Sequence, residues 1–425
     1  MAVSGVGKGS APELFGCTAC TVSHLPRARV AAESWRQHHP EAPFTVLLID
    51  GQEWPRERES FQIVLPEELG LSADELAVRL GIYDAYEMSI ALKARLFGTL
   101  LDQGARAVVF TDPDVCFYGR VDELAAAATA AGLVLIPHAA RPVRGRRYFP
   151  LGQIEFRRTT NGLFNGGLEA VGPGGRDFLD WWDGWLARDC LRESPAGIWT
   201  DQSWLDWAPS YFRYVIVRDT SLDVAFWNLD ERELHEVDGR PMVDGAPLRH
   251  FHFAGFDPRQ PERLTTYLAD ASALPDNPVL TKLLRQYSER LVESGSEELG
   301  SRPYGYAVGA GGRLLDQRRR AIYREAVLAA EARGTELPPH PFDPSRSGEF
   351  ERLVDDPASL RALSPEARQR LERLRKPGAS LASLGRIGTR LRPALRYALT
   401  EEPPPSLAVH SRVASDMVRL EYRSD

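Results

Sequence analysis

The sequence predicts an α/β fold: a mostly parallel central sheet with helices on both faces, continued by an α-helical C-terminal region. Three observations carry this expectation. Nearly continuous apolar runs, such as 44–50 and 107–111, read as strands buried on both faces. Segments with apolar residues four apart, such as Met88, Leu92, Leu96 and Leu100, read as helices. The two patterns alternate from the N-terminal region to about residue 137, as expected of a parallel sheet covered on both sides.

In chain order, residues 15–23 form a first strand and 25–39 a helix with Val30, Ala31 and Trp35 on one side. A strand at 44–50 follows, then a helix at 86–103, a strand at Ala107–Thr111, an alanine-rich helix at 121–131 and a strand at Leu133–Pro137. The middle region is less regular. It holds a strand at 163–171, a helix at 176–190, a segment at 200–207 and strands near 214–217 and 248–253. Beyond about Asp257 the chain becomes helical, rich in arginine and punctuated by proline, with linkers expected at 338–344 and 403–405. The expected division is a flexible tail at 1–12, a catalytic domain at 13–260, a helical region at 261–400 and a tail at 401–425.

Composition narrows the function classes. At 425 residues, 43% hydrophobic and 26% charged, the balance is that of a globular protein able to bury a core without staples. A formal net charge of -7 gives no support to nucleic acid binding. There is no run of about 18 apolar residues, and residues 1–12 lack the apolar stretch of a signal peptide, so a cytoplasmic protein is expected. Residues 5–10 contain glycines and a lysine but lack phosphate-loop spacing and a preceding strand. Cys17 and Cys20 make a C-x-x-C, yet residues three apart on a strand face opposite ways, and no second pair completes a metal set.

The chemistry centres on Asp112 and Asp114, directly after the strand Ala107–Thr111. Ligands of open parallel sheets bind outside the carboxyl ends of strands. Two carboxylates held on a short turn by Pro113 suit one Mg²⁺ or Mn²⁺, which in turn neutralises a diphosphate. His250 and His252 share one face of a later strand, and a neutral imidazole completes a set that suits Mn²⁺. Seven of the nine tryptophans fall between Trp181 and Trp227. Trp182 and Trp185 read as packing, while Trp204 or Trp227 is a candidate for stacking on a sugar ring.

These residues resemble a GT-A fold glycosyltransferase, and among those the family 8 retaining enzymes. The apolar strand and Asp-x-Asp match Val108 to Asp114, the His-x-x-Gly motif matches His252 to Gly255, the Phe-Asn-x-Gly strand matches Phe164 to Gly167, and the Asp-Gln pair matches Asp201-Gln202. The resemblance implies Asp112, Asp114 and His252 as ligands of Mn²⁺ or Mg²⁺. It implies a nucleotide-diphosphate sugar as donor, with uridine the usual base, and a hexosyltransferase activity. It places Ala19, Cys20 and Thr21 around the base, Lys93 or Arg95 on the diphosphate or ribose, and Asp112 and Gly255 against the donor. Asn165 and Asp201 would bond the donor sugar and Gln202 would lie beneath the anomeric carbon. The family's lysine after His-x-x-Gly is absent from Phe256-Asp257-Pro258-Arg259, leaving Arg259, Lys93 or Arg95 to supply positive charge. An inverting enzyme would need a carboxylate base, for which Glu155, Glu169 and Asp206 are candidates.

The acceptor is open: glycan, lipid carrier, protein or secondary metabolite. Residues 380–399 place Leu384, Ile387, Leu391 and Leu395 at helical spacing beside Arg386, Arg390, Arg392 and Arg396, with Pro393 inside. Such a helix either packs on the protein or a second subunit, or lies on an anionic membrane surface at its inner face. Two rival functions are a nucleotidyltransferase that makes the nucleotide sugar and a non-catalytic sugar- or nucleotide-binding scaffold.

Overall fold

Strand sequences with no polar stripe to expose build the centre of the molecule. β1 (Leu14–Cys20), β2 (Phe44–Leu48) and β4 (Ala107–Thr111) are buried at every position, and β3 (Gln62–Val64) at all but its first. With β6 (Leu133–Pro137), β7 (Phe164–Val171) and β8 (Val215–Ile216) they form a seven-stranded sheet in the order β3-β2-β1-β4-β7-β6-β8. Only β7 runs against the others. The computed structural model describes residues 14–141, 161–192, 198–267, 277–365, 368–369 and 372. The described residues from 14 to 369 belong to one compact unit. The expected tails, the proline run 403–405, the basic segment 380–399 and Glu155 lie outside the described residues.

Alternation along each strand gives the sheet two cores. Phe15, Cys17 and Ala19 join one and Leu14 and Cys20 the other, so the two cysteines face opposite sides as the strand period requires. On the Cys20 side, α1 (Leu25–His38) contributes Leu25, Ala31 and Trp35, and α5 (Asp122–Ala131) contributes Leu124 and Ala128. On the Cys17 side lie α2 (Ala73–Ile82), α3 (Ala85–Ala91), α4 (Lys93–Asp102) and α6 (Arg176–Asp189). The predicted α/β class, with helices on both faces, is the observed one.

The helix expected over 86–103 is two helices. Leu92, at φ -103 and ψ 4, leaves helical geometry between them. Lys93 then starts α4 with its side chain wholly buried, which a continuous surface helix would not allow. Residues 200–207 contain only α7 (Gln202–Leu205), followed by α8 (Ala208–Tyr211).

Two small sheets escape a sequence reading because their strands are short. β5 (Val115–Phe117) pairs antiparallel with β12 (His250–His252), and β9 (Leu234–Val237), β10 (Arg240–Val243) and β11 (Ala246–Pro247) make a three-stranded sheet.

The helices after residue 260 share cores with what precedes them. In α9 (Pro278–Glu293), Tyr287 stacks on Phe253 at 3.8 Å between ring centres. α10 (Ser296–Leu299) is a single turn. α11 (Gln317–Arg333) places Ile322, Tyr323 and Val327 in the same core as Leu76, Leu80 and Ile82. α12 (Ser347–Asp355) adds Phe350 and Val354 to it, and α13 (Pro357–Ala362) follows. The expected linker at 338–344 is packed instead. Pro341 lies against the bare face of Gly81, where a Cβ would come within 2.9 Å of it, and the Phe342 ring meets Tyr306. Among the described residues no helix is long and apolar enough to cross a membrane.

Candidate active site

Three segments converge beyond the carboxyl end of β4. Asp112 and Asp114 occupy the turn between β4 and β5, and the β5–β12 pairing sets His252 opposite Val115. The Asp112 amide donates to the Gly167 carbonyl at 3.0 Å, and the Phe253 amide to the Asp114 carbonyl at 2.8 Å. The His252 Nε2 consequently stands 3.1 Å from Asp114 Oδ1 and 3.6 Å from Asp112 Oδ2. One ligand atom from each of the three residues lies within 4.8 Å of the others, a group able to hold a metal ion.

The surroundings fit a cation. Two hard carboxylate oxygens with one imidazole nitrogen suit Mn²⁺ or Mg²⁺. His252 Nδ1 lies 3.6 Å from the wholly buried Asp223 carboxylate, which orients the ring so that Nε2 faces the two aspartates. Asp223 is held by Asn165, whose Nδ2 donates to its Oδ1 at 2.6 Å. Gly167 leaves the space: a Cβ there would come within 2.6 Å of His252 Cε1 and 2.9 Å of Asp112 Oδ2.

Electrostatics separate the two aspartates. Burial pushes the Asp112 carboxyl up to about 6, against the pull of Lys93 and His252. Burial also opposes ionisation of Asp114, but the charge and hydrogen bond of His252 outweigh it and hold that carboxyl at about 2. His252 itself is raised well above its ordinary value: burial works against its charge, and Asp114 and Asp223 overcome this. His250, next along the same face, does not join them. Its Nε2 meets Thr111 Oγ1 at 3.0 Å, and burial pushes it down to about 3.

The group opens into a cleft of about 410 Å³, within the usual size of a small-molecule site. Ala19, Cys20 and Thr21 line it from the end of β1, and Asp50 braces their turn by accepting from the Val22 amide at 2.7 Å. Asn165, Gln202 and Gly255 line it as well. Gln202 is fixed at both ends of its amide, donating to the Asn161 carbonyl at 2.7 Å and accepting from the Gly166 amide at 3.1 Å. Gly255 has φ 71, a backbone conformation that disfavours a side chain.

Asp201 sits behind the cleft wall. Lys93 Nζ donates to its carboxylate at 2.7 Å and also to the Gly166 carbonyl, with Glu169 at 3.6 Å. A Cβ on Gly166 would reach Asp201 Oδ2 at 2.5 Å, so the glycine admits the carboxylate against β7. Thr200, at φ 45, is a strained β-branched residue that delivers Asp201 to this position.

The expected cations are placed elsewhere. Lys93 is buried in the ion cluster, Arg95 donates to Asp183 at 2.7 Å on α6, and Arg259 is an exposed partner of Asp257. None of them lines the cleft. Trp227 does, edge-on to His252 at 5.1 Å, whereas Trp204 stacks on Trp185 at 4.1 Å away from it. Sequence reasoning missed Asp223, Arg27, Tyr86 and Trp199. The last three are cleft residues with no motif around them, and Asp223 gave only the weak signal that aspartate tolerates its φ of 51.

No family profile matches the chain. It is 22% identical over 255 residues to the Bacillus subtilis (strain 168) "Uncharacterized protein YfnF", covering 56% of this chain and 80% of that one. It is 27% identical over 152 residues to "Uncharacterized protein YfnD" of the same organism, covering 34% of this chain and 45% of that one. Among solved structures it is similar to the galactosyltransferase LgtC in complex with donor and acceptor sugar analogs, at 16% identity and a TM-score of 0.34, covering 68% and 97% of the two chains. It is similar to the glycosyltransferase GlyE of Streptococcus pneumoniae TIGR4 at 12% identity and a TM-score of 0.34, covering 68% and 64%. At such low scores superposition assigns no residue of this chain a role.

Proposed function

We propose that this chain is a glycosyltransferase that moves a sugar from a nucleotide-diphosphate sugar to an acceptor, with Mn²⁺ or Mg²⁺ bound and with retention at the anomeric carbon. The observation that carries the reading is the convergence of Asp112, Asp114 and His252 in a cleft that Asn165 and Gln202 also line. A divalent cation held by that trio supplies charge neutralisation on a diphosphate leaving group. The residues around it do the positioning. Asp223 fixes the His252 ring, Asn165 and Gln202 offer amides to the donor sugar's hydroxyls, and the turn Ala19 to Thr21 takes the base. Asp201 then acts from behind the wall, as the carboxylate that Lys93 anchors against Gly166. Lys93 positions Asp201 and does not reach the donor.

Retention rests on the resemblance of the Asp112–Asp114, Phe164–Gly167, Asp201-Gln202 and His252–Gly255 motifs to retaining enzymes. Among the described residues that line the cleft the carboxylates are Asp112 and Asp114. Glu169 is buried beside Lys93, and Asp206 accepts from the Leu163 amide at 2.8 Å without lining the cleft. The attacking acceptor would leave its proton to a donor phosphate oxygen, with catalysis by orientation and electrostatics. Uridine is the favoured base and a hexose the favoured sugar. The test is incubation with a panel of nucleotide sugars and Mn²⁺, reading nucleoside diphosphate release and the product's anomeric configuration by NMR. Metal-dependent release with retained configuration is expected. Release of pyrophosphate would instead mark a nucleotidyltransferase, and no turnover with metal-independent sugar binding would mark a scaffold.

A further inference from the structure

We infer that Arg27, on the first turn of α1, is the residue that binds the diphosphate of the donor. This inference rests on the proposed function and adds the group that recognises the leaving group. A nucleoside diphosphate carries more negative charge than one divalent cation removes, and the trio that would hold the cation itself contains two carboxylates. The cleft therefore needs a fixed positive charge of its own.

Arg27 meets that need. It is the arginine among the described residues that line the cleft, and no lysine lines it. Lys93, Arg95 and Arg259 are each committed to a carboxylate away from it. Arg27 has no carboxylate within ion-pair distance among the described residues. Among the described residues its one hydrogen bond is from Nη2 to the Phe256 carbonyl at 2.9 Å. That bond ties the guanidinium to the turn following His252 and leaves its other N–H groups uncommitted. Thr21, His24, Asp114 and Gly255 line the same cleft, and the Arg27 charge acts on the Asp114 carboxylate. A planar, permanently charged fork in this position matches phosphate oxygens two at a time. His24 does not compete for the role, since burial, with the Arg27 charge beside it, keeps its imidazole neutral, pushed down to about 4.

The experiment is calorimetric titration of the full chain with UDP, GDP, TDP and CDP in Mn²⁺, and with the monophosphate of whichever base binds. Arg27→Gln keeps a donor for the Phe256 carbonyl and removes the charge, and Arg27→Lys keeps the charge and loses the fork. Arg27→Gln should weaken the diphosphate at least about tenfold while leaving the monophosphate within about twofold. Arg27→Lys should recover part of the loss. Thermal unfolding without nucleotide should be unchanged in both. Wild-type diphosphate affinity in Arg27→Gln, or an equal loss for both nucleotides, would overturn the assignment and leave the proposed function standing. Failure of the wild-type chain to bind any diphosphate would overturn both.

Discussion

Two glycines decide how closely the charged groups of this site approach. Gly167 leaves room for His252 and Asp112, and Gly166 for Asp201. Gly167→Ala must push His252 or Asp112 aside at a position where neither neighbour is backbone. We expect it to fold, at a cost of about 1–3 kcal/mol, and to lose Mn²⁺ binding by isothermal calorimetry; wild-type metal affinity would contradict the packing argument. Glu169 supplies a pH test. Its carboxyl is raised well above the ordinary carboxylate range, by burial first and then by Asp201 and Asp112, with Lys93 opposing. The folded chain therefore keeps a proton that the unfolded chain releases above about pH 4. The residue favours folding below that pH and loses the advantage as pH rises toward the folded value. Glu169→Gln cannot titrate, so its melting temperature should gain on the wild type from about pH 5 to about pH 8. Parallel melting curves would mean that Glu169 is ionised in the fold.

The elements legible in the sequence were those long enough to show a period. β4 and β6 fall on their expected residues, and α1, α5, α6 and β7 lie within a residue or so of theirs. What stayed illegible has physical causes. A three-residue strand such as β5 has no measurable alternation, yet its pairing with β12 is what aims His252 at the aspartates. The break at Leu92 lies inside an unbroken apolar repeat, and it is the buried pairing of Lys93 with Asp201, beside Glu169, that accounts for it. The C-terminal helices likewise gave no sign that one of their arginines closes the core. Arg320 on α11 is buried and donates to the carbonyls of Leu80, Gly81 and Tyr83 at 2.7, 3.3 and 2.6 Å, and to those of Tyr306 and Leu315 at 2.8 and 3.0 Å. It thereby fastens the α2–α3 turn, and α3 presents Tyr86, Ser89 and Ile90 to the cleft. Arg320→Met strands these carbonyls in the interior and should cost at least ~3 kcal/mol in urea unfolding; a loss below ~1 kcal/mol would show that water or other groups satisfy them.

Across the molecule, the sheet and the site were read with unequal depth. Composition and alternation were enough for an α/β sheet with covered faces. Asp112 and Asp114 stood out because they follow the carboxyl end of a buried strand, and His252 because its His-x-x-Gly segment resembles a glycosyltransferase motif, since a strand histidine alone has an ordinary structural reading. Asp223 and Arg27 did not, since neither lies in a patterned segment and each matters only through the side chain it faces in three dimensions. The proposed metal-dependent donor site is a property of the native state as a whole: a ligand that binds only the folded chain raises its stability by mass action. The decisive measurement is thermal unfolding with uridine, guanosine, thymidine and cytidine diphosphates, each with Mn²⁺ or with EDTA, for the wild type and Asp114→Ala. A rise in melting temperature with one diphosphate, present with Mn²⁺ and lost with EDTA or in Asp114→Ala, is the predicted result. No rise with any of the four, or a rise that survives EDTA and the substitution, would contradict it.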